Sequence, residues 1–161
     1  AARSPAGSNG VSVLPFGNGV ERMLGNKQTG VVFGGIDLNQ HNQADLFRAL
    51  QEGIAFSFRY GLDIMRSNGL QPTQIKAASA NLFQSEVFLQ SFVGATGVPV
   101  SLYQTDGSVG AALGAGIGCG FYDRPEQAFA LQEEIRTCVP TKAPQLEEAY
   151  QRWLRLLQAN N

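Results

Sequence analysis

Histidine and cysteine are scarce in this sequence, and their scarcity excludes several kinds of site. With a single histidine, His41, a zinc site built from several imidazoles is excluded, and a Ser-His-Asp triad is difficult to assemble. The two cysteines, Cys119 and Cys138, lack metal-ligand spacing and form no disulfide framework. We interpret them as buried or incidental thiols rather than a disulfide pair, which indicates a reducing compartment and a cytoplasmic protein.

Net charge and long hydrophobic runs are also nearly absent. The formal net charge is -1 and the pI is about 5.8, so we expect neither nucleic acid nor an acidic membrane surface as a partner. No apolar stretch approaches the ~20 residues that cross a bilayer. The 161 residues, 43% of them hydrophobic and 16% charged, predict a single soluble globular domain.

The usual catalytic and phosphate-binding motifs are missing as well. The sequence contains no GxxxxGK[ST] loop, no HExxH, CxxC or GxSxG motif, and no GxGxxG that opens a helix after a strand. The paired carboxylates at 133–134 and 147–148 lie on predicted helix surfaces and are typical of solvated faces. The residues alone therefore predict no catalytic set and no metal site.

The first part of the chain predicts a lead-in followed by two short extended segments. Residues 1–10, AARSPAGSNG, have neither the charged nor the apolar region of a signal peptide. We expect them to be a flexible lead-in or the cut edge of a longer chain, with the domain at 11–161. Extended segments are predicted at 11–16 and 30–36, and the Gly-Asn-Gly sequence at 17–19 predicts a turn.

A long helix is the clearest element of the sequence. Asn42 is a good N-cap, Asp45 supplies the negative charge that a first turn favours, and Asn68-Gly69 predicts the end. Gly53 interrupts this helix at a cost of about 1 kcal/mol relative to alanine, which we interpret as close packing against a strand. Apolar residues recur along one face every four residues: Leu46, Leu50, Ile54, Phe58 and Leu62.

Strands and helices then alternate to the end of the chain. We predict strands at 73–80 and 98–103 and helices at 85–96, 109–120, 124–135 and 143–161. The last helix has an apolar docking stripe of Leu146, Tyr150, Trp153, Leu154 and Leu157. This order predicts a parallel α/β sheet, yet two strands are too few for a sheet whose faces need covering. The sequence therefore indicates a piece of a larger domain.

Three ordered segments resemble the FGGY-type carbohydrate kinases. RALQEGIAF at 48–56 is similar to the family's R-A-x-x-E-G-x-A-F, and LPFGNGVER at 14–22 resembles its P-x-x-x-G-E-R, with one extra residue. GVPVSLYQTDGSVGAALGAGIGCGFY at 97–122 resembles the family's strand and following glycine- and alanine-rich helix. The resemblance extends from about Val11 to Trp153 and is greatest to the xylulose kinases.

The resemblance implies a partial actin-like, ribonuclease-H-like ATPase domain with a long central helix and parallel strands. This chain would be the C-terminal part of the second kinase domain, without its antiparallel start and without the first domain. The whole enzyme would transfer the γ-phosphoryl of ATP, with Mg²⁺, to a ketose hydroxyl, and the likeness to xylulose kinases implies D-xylulose as that ketose. Its aspartate base would lie outside this chain, since Asp37, Asp63 and Asp106 stand in other contexts. The implied partners are the missing N-terminal portion, the sugar and, as a further expectation, a second copy in a homodimer.

The resemblance also places a nucleotide-binding turn at residues 80–85, where the family has glycines. Asn81 tolerates positive φ and offers donor and acceptor groups. The resemblance thus implies that Asn81 and Ser85, with Ala80 and the weaker candidate Gln84, contact the adenosine of ATP. Simple helix capping by Asn81 or Ser85 is the alternative. The TDGS turn at 105–108 is a further candidate for the same cleft.

Two other functions stay open at this point. One is a non-catalytic binding or scaffold module that retains the fold without the reaction, as the missing base and the altered turn suggest. The other is a kinase for a different sugar or polyol, such as ribulose, gluconate or glycerol. In either case, we expect the isolated chain to expose apolar surface where missing strands would pair, and to self-associate.

Overall fold

The computed structural model describes residues 1–17, 21–27, 29–130 and 132–160. Ten helices and strands follow one another in the described chain: β1 (Ser12–Pro15), β2 (Val31–Gly34), α1 (Gln43–Ser67), β3 (Ile75–Ala78), α2 (Glu86–Thr96), β4 (Val100–Tyr103), α3 (Gly107–Gly118), α4 (Pro125–Phe129), β5 (Glu134–Cys138) and α5 (Pro144–Ala159). Single 3-10 turns lie at Ser8–Gly10, Glu21–Leu24 and Asn81–Gln84. The turn predicted at 17–19 lies largely outside the described residues.

Helix α1 has the ends that its sequence predicts. The side-chain oxygen of Asn42 accepts a hydrogen bond from the backbone of Ala44 (2.8 Å), and Asp45 accepts one from the backbone of Asn42 (2.9 Å). These reciprocal bonds form a capping box. The helix ends at Ser67 with Asn68 as its C-cap, and Gly69 adopts a φ of 85° that favours glycine.

The strands form two separate sheets. β1 and β2 pair as an antiparallel hairpin, as the two predicted extended segments suggest. β3 and β4 pair in parallel, which confirms the predicted parallel strands, with Lys76 opposite Ser101. β5 then pairs antiparallel with β4 on its other side, so the strand order is β3-β4-β5. β3 and β5 are therefore the edges of the second sheet among the described residues.

β5 corrects the prediction of a helix at 124–135. The helix that begins at Pro125 ends at Phe129, and the chain from Glu134 is extended. Ile135 and Thr137 are β-branched and favour a strand when a partner is present. β4 provides that partner, and the hydroxyls of Ser101 and Thr137 hydrogen-bond across the pair. The partner residues Ser101 and Thr137 are 36 residues apart in sequence, so the local pattern of the segment does not show that a strand partner is present.

Helix α1 lies between two apolar clusters that make up most of the core. On one side α2 and the second sheet pack against it through Ala55, and Phe88, Phe92, Val100 and Leu102 are buried there. On the other side Phe56 packs against β1 and α5. Four of the five residues in the predicted α5 stripe are buried, namely Leu146, Tyr150, Trp153 and Leu157, and Leu154 is half-buried.

Close packing explains the glycine in the middle of α1. A Cβ on Gly53 would lie less than 3.0 Å from the carbonyl oxygen of Val13 and 3.2 Å from its carbonyl carbon. The same oxygen accepts a hydrogen bond from the indole nitrogen of Trp153 (2.9 Å). Gly53 thus lets α1 approach the backbone of β1, as we inferred from the sequence.

Residues 1–10 pack against α1, whereas the sequence suggested a flexible lead-in. The Ser4 hydroxyl donates to Asp45 (2.6 Å), and the Ser8 hydroxyl donates to Glu52 (2.8 Å). Glu52 also accepts from the backbone of Gly7 (3.0 Å) and from Arg48 (2.7 Å). Each of these buried carboxylates therefore has partners, because burying an unpaired charge is costly. The small polar residues of this segment suggest a flexible chain when composition alone is considered. In the structure, the hydroxyls of Ser4 and Ser8 donate hydrogen bonds to the buried carboxylates of Asp45 and Glu52.

The scarce residues take no part in a disulfide or metal cluster. Cys119 is exposed, Cys138 is half-buried, and both are free thiols. His41 accepts a hydrogen bond from the backbone of Asp37 at Nδ1 (2.9 Å), and its Nε2 lies 3.1 Å from the carbonyl oxygen of Asn9. It therefore joins two loops at the start of α1. Among the described helices, none is long and apolar enough to span a membrane.

Candidate functional site

The carboxyl ends of β3 and β4 bring two turns to the same edge of the second sheet. Because these strands are parallel, the turn after β3 and the turn after β4 leave the sheet in the same direction. A hydrogen bond from the Ser79 backbone to the Tyr103 carbonyl (2.9 Å) holds them side by side. In open α/β sheets, ligands bind in the crevice at this carboxyl edge. The turn at 80–85 and the TDGS turn thus leave the sheet at the same edge.

Asn81 provides the backbone conformation for which glycine is usually needed. It has a φ of 51°, in the left-handed region that asparagine tolerates better than most side chains. Ala80 precedes it in extended conformation and begins the 3-10 turn Asn81–Gln84. The side chain of Asn81 is exposed, so its amide is accessible from solvent. A turn without glycine can therefore keep the shape of a glycine turn.

Ser85 and Gln84 occupy different environments. The Ser85 hydroxyl accepts a hydrogen bond from the backbone of Phe88 (3.3 Å) at the start of α2 and donates one to the side chain of Gln51 (2.9 Å). Ser85 is thus a helix cap, the alternative that the sequence left open. Gln84 is exposed and its side chain has no hydrogen-bond partner among the described residues. The pairing with Gln51 could not be foreseen, since it joins positions 34 residues apart.

Asp106 closes the second turn by capping α3. Its carboxylate accepts hydrogen bonds from the Ser108 hydroxyl (2.6 Å) and from the backbones of Ser108 (2.9 Å) and Val109 (3.1 Å). The Ser108 hydroxyl first, and then these backbone donors, lower the pKa of Asp106 from its ordinary value. Asp106 therefore stays ionised at neutral pH and caps the N-terminus of α3 after β4.

The other side of β3 borders an apolar cavity of about 440 Å³ between α1 and the strand edge. The backbones of Ile75 and Ser79 donate toward β4, and alternation along a strand directs those of Lys76 and Ala78 away from it. No described strand pairs with that edge. The cavity wall includes Phe58, Leu62, Met65, Ile75 and Phe83.

No metal site is assembled from this part of the protein. Among the described residues, no three histidine, cysteine, aspartate or glutamate side chains lie together in a way that could hold a metal ion. Asp37 is bonded to Asn39 and Gln40, and Asp63 is paired with Arg59 and Arg66. Asp37 and Asp63 therefore serve local structure.

Comparison with known proteins gives a consistent assignment. Residues 1–119 match the family described as "FGGY family of carbohydrate kinases, C-terminal domain". The xylulose kinase of Haemophilus influenzae is 40% identical over 76 residues, which are 47% of this chain and 15% of that protein. The xylulose kinase of Staphylococcus epidermidis is 32% identical over 140 residues, which are 84% of this chain and 28% of that protein.

A solved structure extends the likeness to nearly the whole chain. The crystal structure of xylulose kinase from Rhodospirillum rubrum superposes with a TM-score of 0.78 and 26% identity, over 98% of this chain and 32% of that one. The chain thus spans less than a third of each of these three proteins. The likeness confirms the predicted fold, a partial actin-like α/β domain. The chain belongs to the FGGY family of carbohydrate kinases, and residues 1–119 match the C-terminal domain of that family.

Proposed function

We propose that this chain is the C-terminal part of a cytoplasmic, ATP-dependent sugar kinase whose acceptor is the hydroxyl of a ketose, D-xylulose. The match of residues 1–119 to the FGGY C-terminal domain carries this proposal. The names of the matched relatives, both xylulose kinases, support the choice of sugar. Phosphoryl transfer of this kind depends on positioning and electrostatic stabilisation, with an aspartate as base.

Within that enzyme, we assign the turn at 80–85 to the adenosine side of the nucleotide cleft. Its place at the carboxyl edge of β3, the φ of 51° at Asn81 and the exposed amides of Asn81 and Gln84 support this assignment. Ala80 contributes backbone only. Ser85 holds the start of α2 in place, because its hydroxyl is already engaged by Phe88 and Gln51.

The phosphate end of the reaction belongs to other parts of the enzyme. ATP supplies the phosphoryl group, and Mg²⁺ neutralises the charge on its phosphates. We assign the ligands of that ion to other parts of the enzyme; among the described residues, no three ligating side chains lie together. The chain's own residues shape the base- and ribose-facing rim. The open edge of β3 is the surface on which strands from the missing N-terminal portion would complete the sheet.

The activity is tested on the full-length protein that contains this chain. ADP release would be measured with D-xylulose, ribulose, gluconate and glycerol as acceptors. We expect the highest kcat/KM with D-xylulose. The absence of phosphorylation of every acceptor, together with no ATP binding, would favour the non-catalytic scaffold instead.

The nucleotide turn has its own test in the same protein. Asn81→Gly keeps the left-handed backbone but removes the amide, so it should raise the KM for ATP about two- to tenfold and leave the KM for the sugar unchanged. Asn26→Gly is the matched control, because Asn26 is also exposed and has a φ of 65°. An unchanged KM for ATP in Asn81→Gly would remove Asn81 from the site while leaving the kinase assignment intact.

A further inference from the structure

An open cleft of about 390 Å³ lies between the β1–β2 hairpin and α5, and it shares no residue with the turn at 80–85. Its wall combines two guanidinium side chains, Arg152 and Arg155, with bare backbone at Gly10, Gly34 and Gly35 and the side chain of Ser12. Neither the family resemblance nor the proposed nucleotide site gives this cleft a role.

The two arginines carry positive charge that is not neutralised locally. Arg152 donates through Nη2 to the carbonyl of Gly7 (3.1 Å), but its Nε is buried without a hydrogen-bond partner. Arg155 is exposed and has no hydrogen bond or ion pair among the described residues. Among the described residues, no carboxylate lies in the cleft wall. The cleft wall therefore has two cationic groups.

Glycine gives the cleft its close-packed backbone floor. A Cβ on Gly34 would lie 2.8 Å from Cδ1 of Leu156, and a Cβ on Gly35 would lie 2.9 Å from the carbonyl oxygen of Gly10. Gly35 also has a φ of 76°, which side chains rarely adopt. The hairpin thus approaches α5 closely. The Ser12 hydroxyl beside it makes no hydrogen bond with a described residue and is available as a donor.

We propose that this cleft binds the phosphoryl group of a small phosphorylated molecule. A phosphoryl group carries close to two negative charges at neutral pH and three acceptor oxygens. Two guanidinium groups match that charge, and their forked donors suit its oxygens. The guanidinium groups of Arg152 and Arg155 and the hydroxyl of Ser12 line the cleft and would donate to those oxygens. A monoanionic carboxylate would leave one positive charge uncompensated.

The test follows the Arg152 Nε–H resonance by NMR in the full-length protein labelled with ¹⁵N-arginine, with Arg152→Lys to assign the signal. Titration with inorganic phosphate should shift this resonance saturably. Arg155→Gln should weaken the apparent affinity about tenfold, since it removes a charged donor that makes no contact needed for folding. Arg124→Gln is the matched control, an exposed arginine outside the cleft, and should leave the affinity within about twofold.

Three results would overturn the proposal. The first is an Arg152 Nε–H resonance that does not shift when phosphate is added. This would occur if an acidic side chain from elsewhere in the protein already occupied the cleft. The second is equal weakening by Arg155→Gln and Arg124→Gln, which would indicate a general charge effect. The third is acetate that binds as tightly as phosphate at the same ionic strength, which would contradict selection for a phosphoryl group.

Discussion

Replacing Gly53 with alanine tests whether the approach of α1 to β1 holds the core together. Alanine in the middle of a helix would ordinarily stabilise it by about 1 kcal/mol relative to glycine. Here the new Cβ would lie less than 3.0 Å from the Val13 carbonyl oxygen, while ordinary contacts begin at about 3.4 Å. That atom is backbone, so relief requires β1 and α1 to move apart.

The separation would also strain a buried hydrogen bond, because the Val13 oxygen accepts from the indole of Trp153. Overpacking of a core costs about 1–3 kcal/mol, and a weakened hydrogen bond adds about 1 kcal/mol. After the helix gain of about 1 kcal/mol is subtracted, Gly53→Ala should lower the free energy of unfolding by about 1–3 kcal/mol.

Gly61→Ala is the control within the same helix. Gly61 lies two turns further along α1, and a Cβ there would meet no atom within 4 Å. This variant should therefore show the propensity effect alone, a gain of about 1 kcal/mol. Urea unfolding, followed by circular dichroism and by the fluorescence of Trp153, measures both variants. If Gly53→Ala proves as stable as the wild type or more so, the close approach to Val13 does not govern the packing of α1.

The remaining predictions concern a hydrogen bond, a carboxylate and a sheet edge. Trp153→Phe removes the donor to the buried Val13 carbonyl and should lower the free energy of unfolding, measured in urea, by about 1–3 kcal/mol. A change below about 0.5 kcal/mol would contradict this expectation. The pKa of Asp45 is held below its ordinary value of 3.8, chiefly by the hydrogen bond from the Ser4 hydroxyl. The ionised Asp45 carboxylate therefore contributes its full stabilisation above pH 3.8, and this stabilisation is lost as the pH falls through the lower pKa of the folded state. Asp45→Asn should accordingly flatten the decline of unfolding free energy between about pH 5 and pH 2, and an unchanged slope would refute that role. The 161-residue chain alone should self-associate through the unpaired β3 edge in sedimentation velocity, less so after Ala78→Pro; a monomer at about 100 μM would count against an exposed edge.

Elements whose signals are local were predicted well from the sequence. The capping box at Asn42 and Asp45 lies within four residues, and the glycine at 69 ends the same helix. The close packing at Gly53 could be inferred because a glycine in a long amphipathic helix needs a compensating reason. The family could be recognised from short ordered segments, and residues 1–119 match it.

Features that depend on distant partners were predicted poorly. β5 was assigned to a helix because its partner strand, β4, lies more than 30 residues earlier. Residues 1–10 appeared mobile because nothing in their own composition reveals that Glu52 and Asp45 lie within reach. The hydrogen bond from the Ser85 hydroxyl to Gln51 likewise joins positions 34 residues apart.

The sequence by itself determined where α1 begins and ends and which face of α5 is apolar, since hydrogen bonds and periodicity within a few residues decide these properties. Only the tertiary structure decided that two turns share one edge of a sheet, and that Arg152 and Arg155 face a cleft beside glycine backbone. The physical reason is that each of these sites combines groups from segments that are distant in sequence. Only the folding of the whole chain brings those groups within contact distance of one another.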